Sequence, residues 1–184
     1  MLQGDKVILR PVGRPDIEDS LKWFNDPEIT QYISMYLPMT EMAEEKFIES
    51  LGSAEAGKKA MFCIEAVENH GNKPIGTIGL DSINSKDHHA EFGITIGEKD
   101  YWSKGYGTEA AELIIRYGFE QLNLHRIDSF AFSFNERSLR LHRKVGFIQE
   151  GLRREAWYSD GKYHDEMLFG LLRKEWQAIR KPEN

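Results

Sequence analysis

A glycine-containing segment ahead of an amphipathic helix constrains this chain more than any other feature of its sequence. Residues Trp102–Ala110 read Trp-Ser-Lys-Gly-Tyr-Gly-Thr-Glu-Ala, and two glycines one residue apart permit a tight turn with exposed backbone N–H groups. Unpaired N–H groups and the positive end of a helix dipole favour an anion, and Lys104 adds a positive charge. The segment therefore predicts a phosphate-binding turn, with an ordinary loop as the alternative. The apolar residues that follow share one helical face: Ala111, Ile114, Ile115, Gly118, Phe119 and Leu122.

Seven apolar or alternating runs have the composition of strands, and short polar turns separate several of them. The runs are Lys6–Pro11, Ala60–Val67, Pro74–Asp81, Ala90–Ile96, Arg126–Phe132, Phe147–Leu152 and Glu166–Leu172. Further helices are predicted to begin near Pro15, Thr40 and Asn135 and to include Trp176. Because the chain shows no repeat, linker or low-complexity segment, residues 1–184 are expected to form a single α+β domain with about seven strands.

The formal net charge of −6 disfavours general nucleic-acid binding, but the charges are unevenly distributed. Arg126–Arg154 contain seven basic and three acidic residues, whereas Met1–Ala60 contain seven basic and eleven acidic residues. An anionic ligand is therefore expected near the later segment, and a cationic ligand can approach the earlier one. Solvated charged faces would produce the same counts.

Metal and thiol chemistry are weakly marked. The six histidines and the single cysteine lack zinc-site spacing, and His88 and His89 would face opposite sides of a strand, so no metal is expected. Cys63 lies in a strand-like run, where a small core residue is commoner than a catalytic thiol. The sequence has no apolar stretch of membrane-spanning length and starts without a secretory signal, which favours a cytoplasmic location without membrane contact.

A second motif follows the helix. After the strand Arg126–Phe132 come Asn135-Glu136-Arg137-Ser138 and then Arg143-Lys144-Val145-Gly146-Phe147. Together with the glycine segment, this order resembles the GNAT superfamily of acyl-CoA N-acyltransferases over Val7–Leu172. The opening Leu-Arg-Pro and the Asn-x-x-Ser to Gly-Phe ending resemble the Rim-type ribosomal-protein N-acetyltransferases, and Ala90-Glu91-Phe92 resembles the spermidine acetyltransferases.

The resemblance implies a GNAT fold, an α/β/α arrangement whose fourth and fifth strands splay apart to admit acetyl-CoA. The diphosphate would lie on the amides of Ser103–Thr108, the pantetheine arm would pair with Ile94–Ile96, and an N–H near Ile96 would polarise the thioester carbonyl. The cofactor-binding residues implied are Ile94, Thr95, Ile96, Ser103, Lys104, Gly105, Tyr106, Gly107, Thr108, Asn135, Ser138, Arg143 and Lys144.

The resemblance also implies two candidate acids and two candidate bases. Many GNAT enzymes place a tyrosine four residues before the glycine of Gly-Phe to protonate the leaving thiolate, and this chain has His142 there. His142 could donate that proton because an unperturbed histidine has a pKa of about 6.5, and Ser138 is the alternative used in some Rim-type relatives. Glu91 and Glu155 are the carboxylates nearest the expected acetyl position. A helix-surface histidine and arginine-paired glutamates are the structural alternatives.

The acceptor is expected to be a primary amine, on a polyamine or other small molecule or at a protein N-terminus, which attacks directly in a ternary complex. Two other classes remain open. A non-catalytic acyl-CoA-binding regulator would share the fold, and Gly105-x-Gly107-x-x-Ala110 with Asp128 fits a loose dinucleotide-binding fingerprint. That fingerprint should follow the first strand, whereas four strand-like runs precede it here. A homodimer or larger homo-oligomer is left open as well.

Overall fold

One mixed β-sheet organises the chain. The computed structural model describes residues 1–52 and 57–180. The strands are β1 (Leu2–Gln3), β2 (Val7–Pro11), β3 (Ala60–Ala66), β4 (Lys73–Asn84), β5 (His89–Ile96), β6 (Arg126–Phe132), β7 (Ile148–Ser159) and β8 (Lys162–Leu172). They lie in the order β1-β2-β3-β4-β5-β6-β8-β7, and every neighbouring pair is antiparallel except β5 and β6. The predicted α+β class is confirmed.

The sheet has eight strands rather than about seven because the chain begins with a very short one. In β1, Leu2 and Gln3 pair with Leu9 and Ile8 of β2. Two residues are too few to show an alternating pattern, so the sequence did not mark this strand.

Helices cover both faces of the sheet. They are α1 (Ile17–Phe24), α2 (Pro27–Thr30), α3 (Glu41–Leu51), α4 (Tyr106–Glu120), α5 (Glu136–Lys144) and α6 (Arg173–Arg180). Trp23 of α1 packs on Gly97 on one face, whereas Gly107 of α4 lies against Ile94 and Ile96 on the other. The short α2 was not predicted, because a proline shortly after α1 is typical of a helix end; here Pro27 occupies the first position of α2, where its fixed φ suits a helix.

The helix after the glycine segment buries the face predicted for it. Ala111, Ile114, Ile115 and Phe119 of α4 are all buried in the core against the sheet. The ring of Trp176 in α6 covers Phe119 with 5.2 Å between ring centres. The burial of this stripe anchors α4, so its N-terminus is held at one end of the sheet.

A cleft opens between the two parallel strands. β5 and β6 pair only at His89–Arg126, Ala90–Ile127 and Glu91–Asp128, although both strands continue for several residues and both are fully described. The cleft is therefore narrow at Glu91 and wide near the N-terminus of α4. This is the predicted splay, between strands that count as fifth and sixth once β1 is included.

Candidate active site

A cavity of about 760 Å³ follows the cleft, and most of the predicted site residues line it. Those that do are Ile94, Thr95, Ile96, Ser103, Gly105, Gly107, Thr108, Asn135, Ser138 and Lys144, together with Glu91 and His142. Lys104, Tyr106 and Arg143 lie outside its wall. The side chains of Lys104 and Arg143 are exposed, and the ring of Tyr106 packs edge-on against Tyr101 at 5.0 Å between ring centres.

The turn before α4 has the geometry that an anion requires. Gly105 has a φ of +93°, which favours glycine, and directly precedes the helix. The N–H of Glu109 bonds back to the Gly105 carbonyl at 3.1 Å, so the N–H groups ahead of it have no partner within the helix. At Gly107 a β-carbon would make ordinary contacts at 3.6 Å with Ile94 and Ile96, so the first turn of α4 lies directly against β5. A diphosphate therefore fits this turn.

The edge of β5 that faces the cleft carries backbone groups for a ligand with amide groups. The carbonyl of Phe92 accepts a hydrogen bond from Ser129 Oγ at 3.0 Å, and that of Ile96 accepts one from Trp102 Nε1 at 2.7 Å. The N–H and C=O groups of alternate residues in a strand point to the same side. Ile94 lies between Phe92 and Ile96, so its N–H and C=O also face the cleft. The extended pantetheine arm of CoA would suit this edge.

The face of the sheet opposite α4 supplies the part of the cavity that the sequence did not identify. Gly79 of β4 and Gly93 of β5 lie directly opposite each other; the Met61 side chain covers Gly79, whereas Gly93 leaves a trough, with Asp81 and Glu91 opposite each other at its narrow end. The loop residues Tyr32–Met35 line its other side. Glu91 is the one of these positions that the sequence identified; no motif marks the others, because strand register alone brings them together.

The carboxyl of Glu91 is the acidic group at the narrow end of the cleft. Partial burial raises its pKa, and the nearby charges of Asp81 and Asp128 raise it further. Asp81 has a different environment, since Lys59 Nζ lies 2.9 Å from its carboxylate. Glu155, the other predicted base, lies outside the cavity wall, and its backbone N–H donates to Asp165 at 2.8 Å.

Helix α5 brings the two candidate acids to the cavity. Asn135 caps the helix by accepting a hydrogen bond from the N–H of Ser138 at 3.1 Å. Ser138 is half-buried, whereas His142 is only 2% exposed and its ring stacks on Phe169. Burial lowers the pKa of His142, and a hydrogen bond to the Ser138 carbonyl partly opposes that effect. His142 is therefore a core residue with one edge towards the cavity rather than a helix-surface residue.

Arg137 spans the wide end of the cleft. Its guanidinium carbon lies 3.9 Å from the ring centre of Trp102 and 4.9 Å from that of Tyr32. All three side chains line the cavity. These cation–π contacts join the segment after β5, the first turn of α5 and the loop after α2.

A thiol nucleophile, a metal site and a membrane-spanning helix would each set their own requirements on residues 1–52 and 57–180. Burial, followed by the charge of Asp16, raises the pKa of Cys63 to about 12, so its thiol is not a poised nucleophile. Within those ranges, no three His, Cys, Asp or Glu side chains are grouped to hold a metal ion. No described helix combines the length and apolar character needed to cross a membrane.

A helix N-terminus for phosphates, joined to an open strand edge and ending at a carboxyl, defines an acyl-carrier-dependent transferase. Residues 6–148 match the acetyltransferase (GNAT) domain family. The chain belongs to this family and is an acetyl-CoA-dependent N-acetyltransferase, as predicted. Because the chain belongs to the GNAT family, the alternative interpretation of Gly105-x-Gly107-x-x-Ala110 as a dinucleotide-binding fingerprint no longer applies.

Individual relatives span nearly the whole chain. It is 33% identical over 185 residues to the spermidine N(1)-acetyltransferase of Escherichia coli strain K12, covering 98% of this chain and 94% of that protein. An uncharacterized N-acetyltransferase of Bacillus licheniformis, p20, is 30% identical over 177 residues, with 95% and 97% covered. The crystal structure of spermidine N-acetyltransferase from Vibrio cholerae in complex with CoA and spermine shares the fold, with a TM-score of 0.86, 23% identity and coverage of 95% of this chain and 99% of that one.

Replacing Gly105 tests the phosphate-binding turn. Gly105→Ala is expected to destabilise the fold by about 1–2 kcal/mol, because a β-carbon is strained at positive φ. It should also raise the Kd for acetyl-CoA about tenfold by tilting the first N–H groups of α4, an effect measurable by calorimetry. Gly71→Ala is the matched control: Gly71 also has a positive φ (+119°) with open space around it, but lies in the β3–β4 turn. Equal loss of acetyl-CoA affinity in both variants would contradict the assignment.

Proposed function

We propose that the chain transfers the acetyl group of acetyl-CoA to a primary amine on a small, positively charged acceptor such as a polyamine. Acetyl-CoA supplies the thioester. The acceptor nitrogen forms a bond to the acetyl carbon, the carbon–sulfur bond breaks, the nitrogen loses a proton and the sulfur gains one. No covalent enzyme intermediate is needed, which agrees with the inert surroundings of Cys63.

The position of Glu91 is the observation that carries this proposal. It lies at the last paired position of the cleft, opposite Asp81 and beside Asp128, on the face away from α4. A partly desolvated carboxylate among other carboxylates attracts a cation and is a stronger base than an ordinary glutamate. A base is needed, because an amine of pKa about 10.4 costs about 4.6 kcal/mol to deprotonate at pH 7. The full-length similarity to a spermidine acetyltransferase supports a polyamine acceptor.

The remaining residues are proposed to hold the cofactor and return the proton. The first N–H groups of α4 bind the diphosphate, and the backbone of Ile94 pairs with the pantetheine arm, which carries the thioester towards Glu91 at the narrow end of the cleft. Ile96 lies beside Gly107 at the wide end, so the N–H near Ile96 that the resemblance implied is not assigned to the thioester carbonyl. Ser138, which lines the cavity with its hydroxyl 3.4 Å from His142 Nδ1, is proposed to protonate the sulfur. Since all eight strands form one sheet and α6 packs on α4, residues 1–184 are proposed to be a single acetyltransferase domain.

Thiol release from acetyl-CoA across a panel of amines tests the proposal. The panel should contain spermidine, an amino sugar, an aminoglycoside and a peptide with a free N-terminus. Spermidine is expected to give the highest kcat/KM, because several ammonium groups can approach the acidic end of the cleft. Asn135→Ala, which removes the α5 cap beside the cavity, should lower all rates together. Preference for the peptide would overturn the assigned acceptor, and no transfer to any amine would overturn the activity.

Changing Glu91 tests its role directly. Glu91→Gln is expected to lower kcat/KM for spermidine at least about tenfold, because the variant loses both the attraction for the ammonium groups and the base. The Kd for acetyl-CoA should stay constant, since the phosphate-binding turn lies at the wide end of the cleft, away from Glu91. Glu155→Gln is the matched control, because Glu155 lies outside the cavity wall. A larger effect of Glu155→Gln would assign the base to Glu155 instead.

A further inference from the structure

Ser129 occupies the point where β5 and β6 part. It follows Asp128, the last residue of β6 that pairs with β5, and is only 6% exposed. Its hydroxyl oxygen lies 3.0 Å from the carbonyl oxygen of Phe92 on β5. One side-chain hydroxyl thus bridges the two strands where their backbone pairing ends, at the narrow end of the cleft.

His142 holds this hydroxyl from the other side. Its Nε2 lies 2.8 Å from Ser129 Oγ, and its Nδ1 lies 2.7 Å from the Ser138 carbonyl oxygen. A carbonyl can only accept, so Nδ1 carries a hydrogen. The ring is wedged between aromatic side chains, stacked on Phe169 at 4.6 Å and edge-on to Phe147 at 5.2 Å. Packing and hydrogen bonding together fix its orientation.

The hydrogen-bond network around Ser129 and His142 has one hydrogen too few for its contacts when the His142 ring is neutral. Three contacts join Ser138 O, His142, Ser129 Oγ and Phe92 O, and each needs one hydrogen. A neutral imidazole with hydrogen on Nδ1 supplies one and the hydroxyl supplies one. The Ser129 hydroxyl therefore has two acceptors, His142 Nε2 and the Phe92 carbonyl, and can donate fully to one at a time. Burial favours this neutral ring.

We propose that Ser129, held by His142, is a positioning residue for acetyl transfer: it sets the separation of β5 and β6 and the direction of the Phe92 carbonyl at the reactive end of the cleft. This inference rests on the proposed function. Both ring nitrogens of His142 are engaged inside the protein, so His142 acts through Ser129 and through the backbone of Ser138. A shift of the strands by a fraction of an ångström would misalign the amine and the thioester, and such misalignment is costly for rate.

Four variants test this role: Ser129→Ala, Ser129→Thr, His142→Phe and the double variant Ser129→Ala/His142→Phe. Ser129→Ala is expected to lower kcat at least about tenfold. The KM for acetyl-CoA should change less than about threefold, because the substitution leaves the phosphate-binding turn unchanged. Ser129→Thr, which keeps the hydroxyl, should restore most of kcat. In the double variant kcat should remain as low as in Ser129→Ala, because His142 acts through Ser129 and the Phe92 carbonyl lacks its hydrogen-bond donor in both variants.

Each result decides between positioning and its alternatives. Unchanged kcat in Ser129→Ala, or a loss of kcat that follows the loss of Tm across the four variants, would show a purely structural role. Losses that multiply in the double variant would show that His142 contributes independently of Ser129 and would overturn the inference that His142 acts through it. A wild-type chain that acetylates none of the amines would overturn the proposed function and this role with it; an active wild type with an equally active Ser129→Ala variant would overturn this role alone.

Discussion

Gly93→Val is expected to lower kcat/KM for acetyl transfer by about 100-fold or more without destabilising the protein. Gly93 lies in the trough opposite α4, beside the cleft, and a β-carbon there would meet nothing within 4 Å. Its φ is not in the left-handed region, so the backbone conformation at this position suits valine. The added methyl groups would occupy the space through which the acceptor reaches the thioester. Because glycine weakens a strand by about 0.5–1 kcal/mol, the free energy of unfolding should stay constant or rise slightly.

Steady-state kinetics and thermal unfolding on the same samples check this result. Gly93→Ala should give an intermediate loss of activity, since it adds one carbon instead of three. Gly151→Val is the matched control, because Gly151 lies in β7 outside the cavity wall and a β-carbon there makes only an ordinary 3.5 Å contact with Leu168. Wild-type activity in Gly93→Val would mean that the acceptor does not enter over this face of the sheet.

Acidification is expected to remove up to about 3 kcal/mol of stability through Glu98 alone, at about 1.36 kcal/mol for each pKa unit. Glu98 is mostly covered and accepts hydrogen bonds from Lys22 Nζ, from Trp23 Nε1 at 2.9 Å and from Lys73 Nζ at 3.2 Å. Burial alone would raise the pKa of Glu98, but these bonds outweigh it and lower the pKa from 4.5 to about 2. A carboxyl with a lowered folded-state pKa stabilises the protein above its unfolded-state value. That contribution should be lost as pH falls from about 5 towards 2.

Glu98→Gln provides the direct comparison. At pH 7 the variant should lose about 2 kcal/mol, because the amide can still accept from Trp23 but no longer neutralises Lys22 and Lys73. Urea unfolding at pH 7 and pH 3 should show a smaller pH-dependent loss for Glu98→Gln than for wild type. Glu120→Gln is the control, since Glu120 is exposed on α4. Parallel pH profiles for wild type and Glu98→Gln would contradict this assignment.

The elements predicted from the sequence are those whose pattern is local. The apolar stripe of α4, the glycine turn ahead of it and the alternation of Arg126–Phe132 all depend on residues a few positions apart. The elements that the sequence did not predict are those without such a pattern: β1 has two residues, and α2 begins at a proline, a residue that also marks helix ends. The order and spacing of the two motifs predicted the family and most of the residues that line the cofactor side of the cavity.

Apart from Glu91, the side of the cavity assigned to the acceptor lay beyond sequence reasoning. Gly79 and Gly93 are fourteen positions apart and meet only because β4 and β5 pair in one register. His142 matched a motif position, yet the motif did not show that Ser129, thirteen positions earlier, would hold its ring.

The sequence by itself determined most of the elements, the glycine turn ahead of α4 and the family, because helix period, strand alternation and positive-φ glycines are requirements on neighbouring residues. Only the tertiary structure decided where the proposed acceptor face lies and how the cleft is held at its narrow end. Contacts such as Glu91 with Asp128 and Ser129 with Phe92 depend on the register of distant strands and on the point at which those strands separate. Neither the register nor the point of separation can be predicted from a short segment of the sequence.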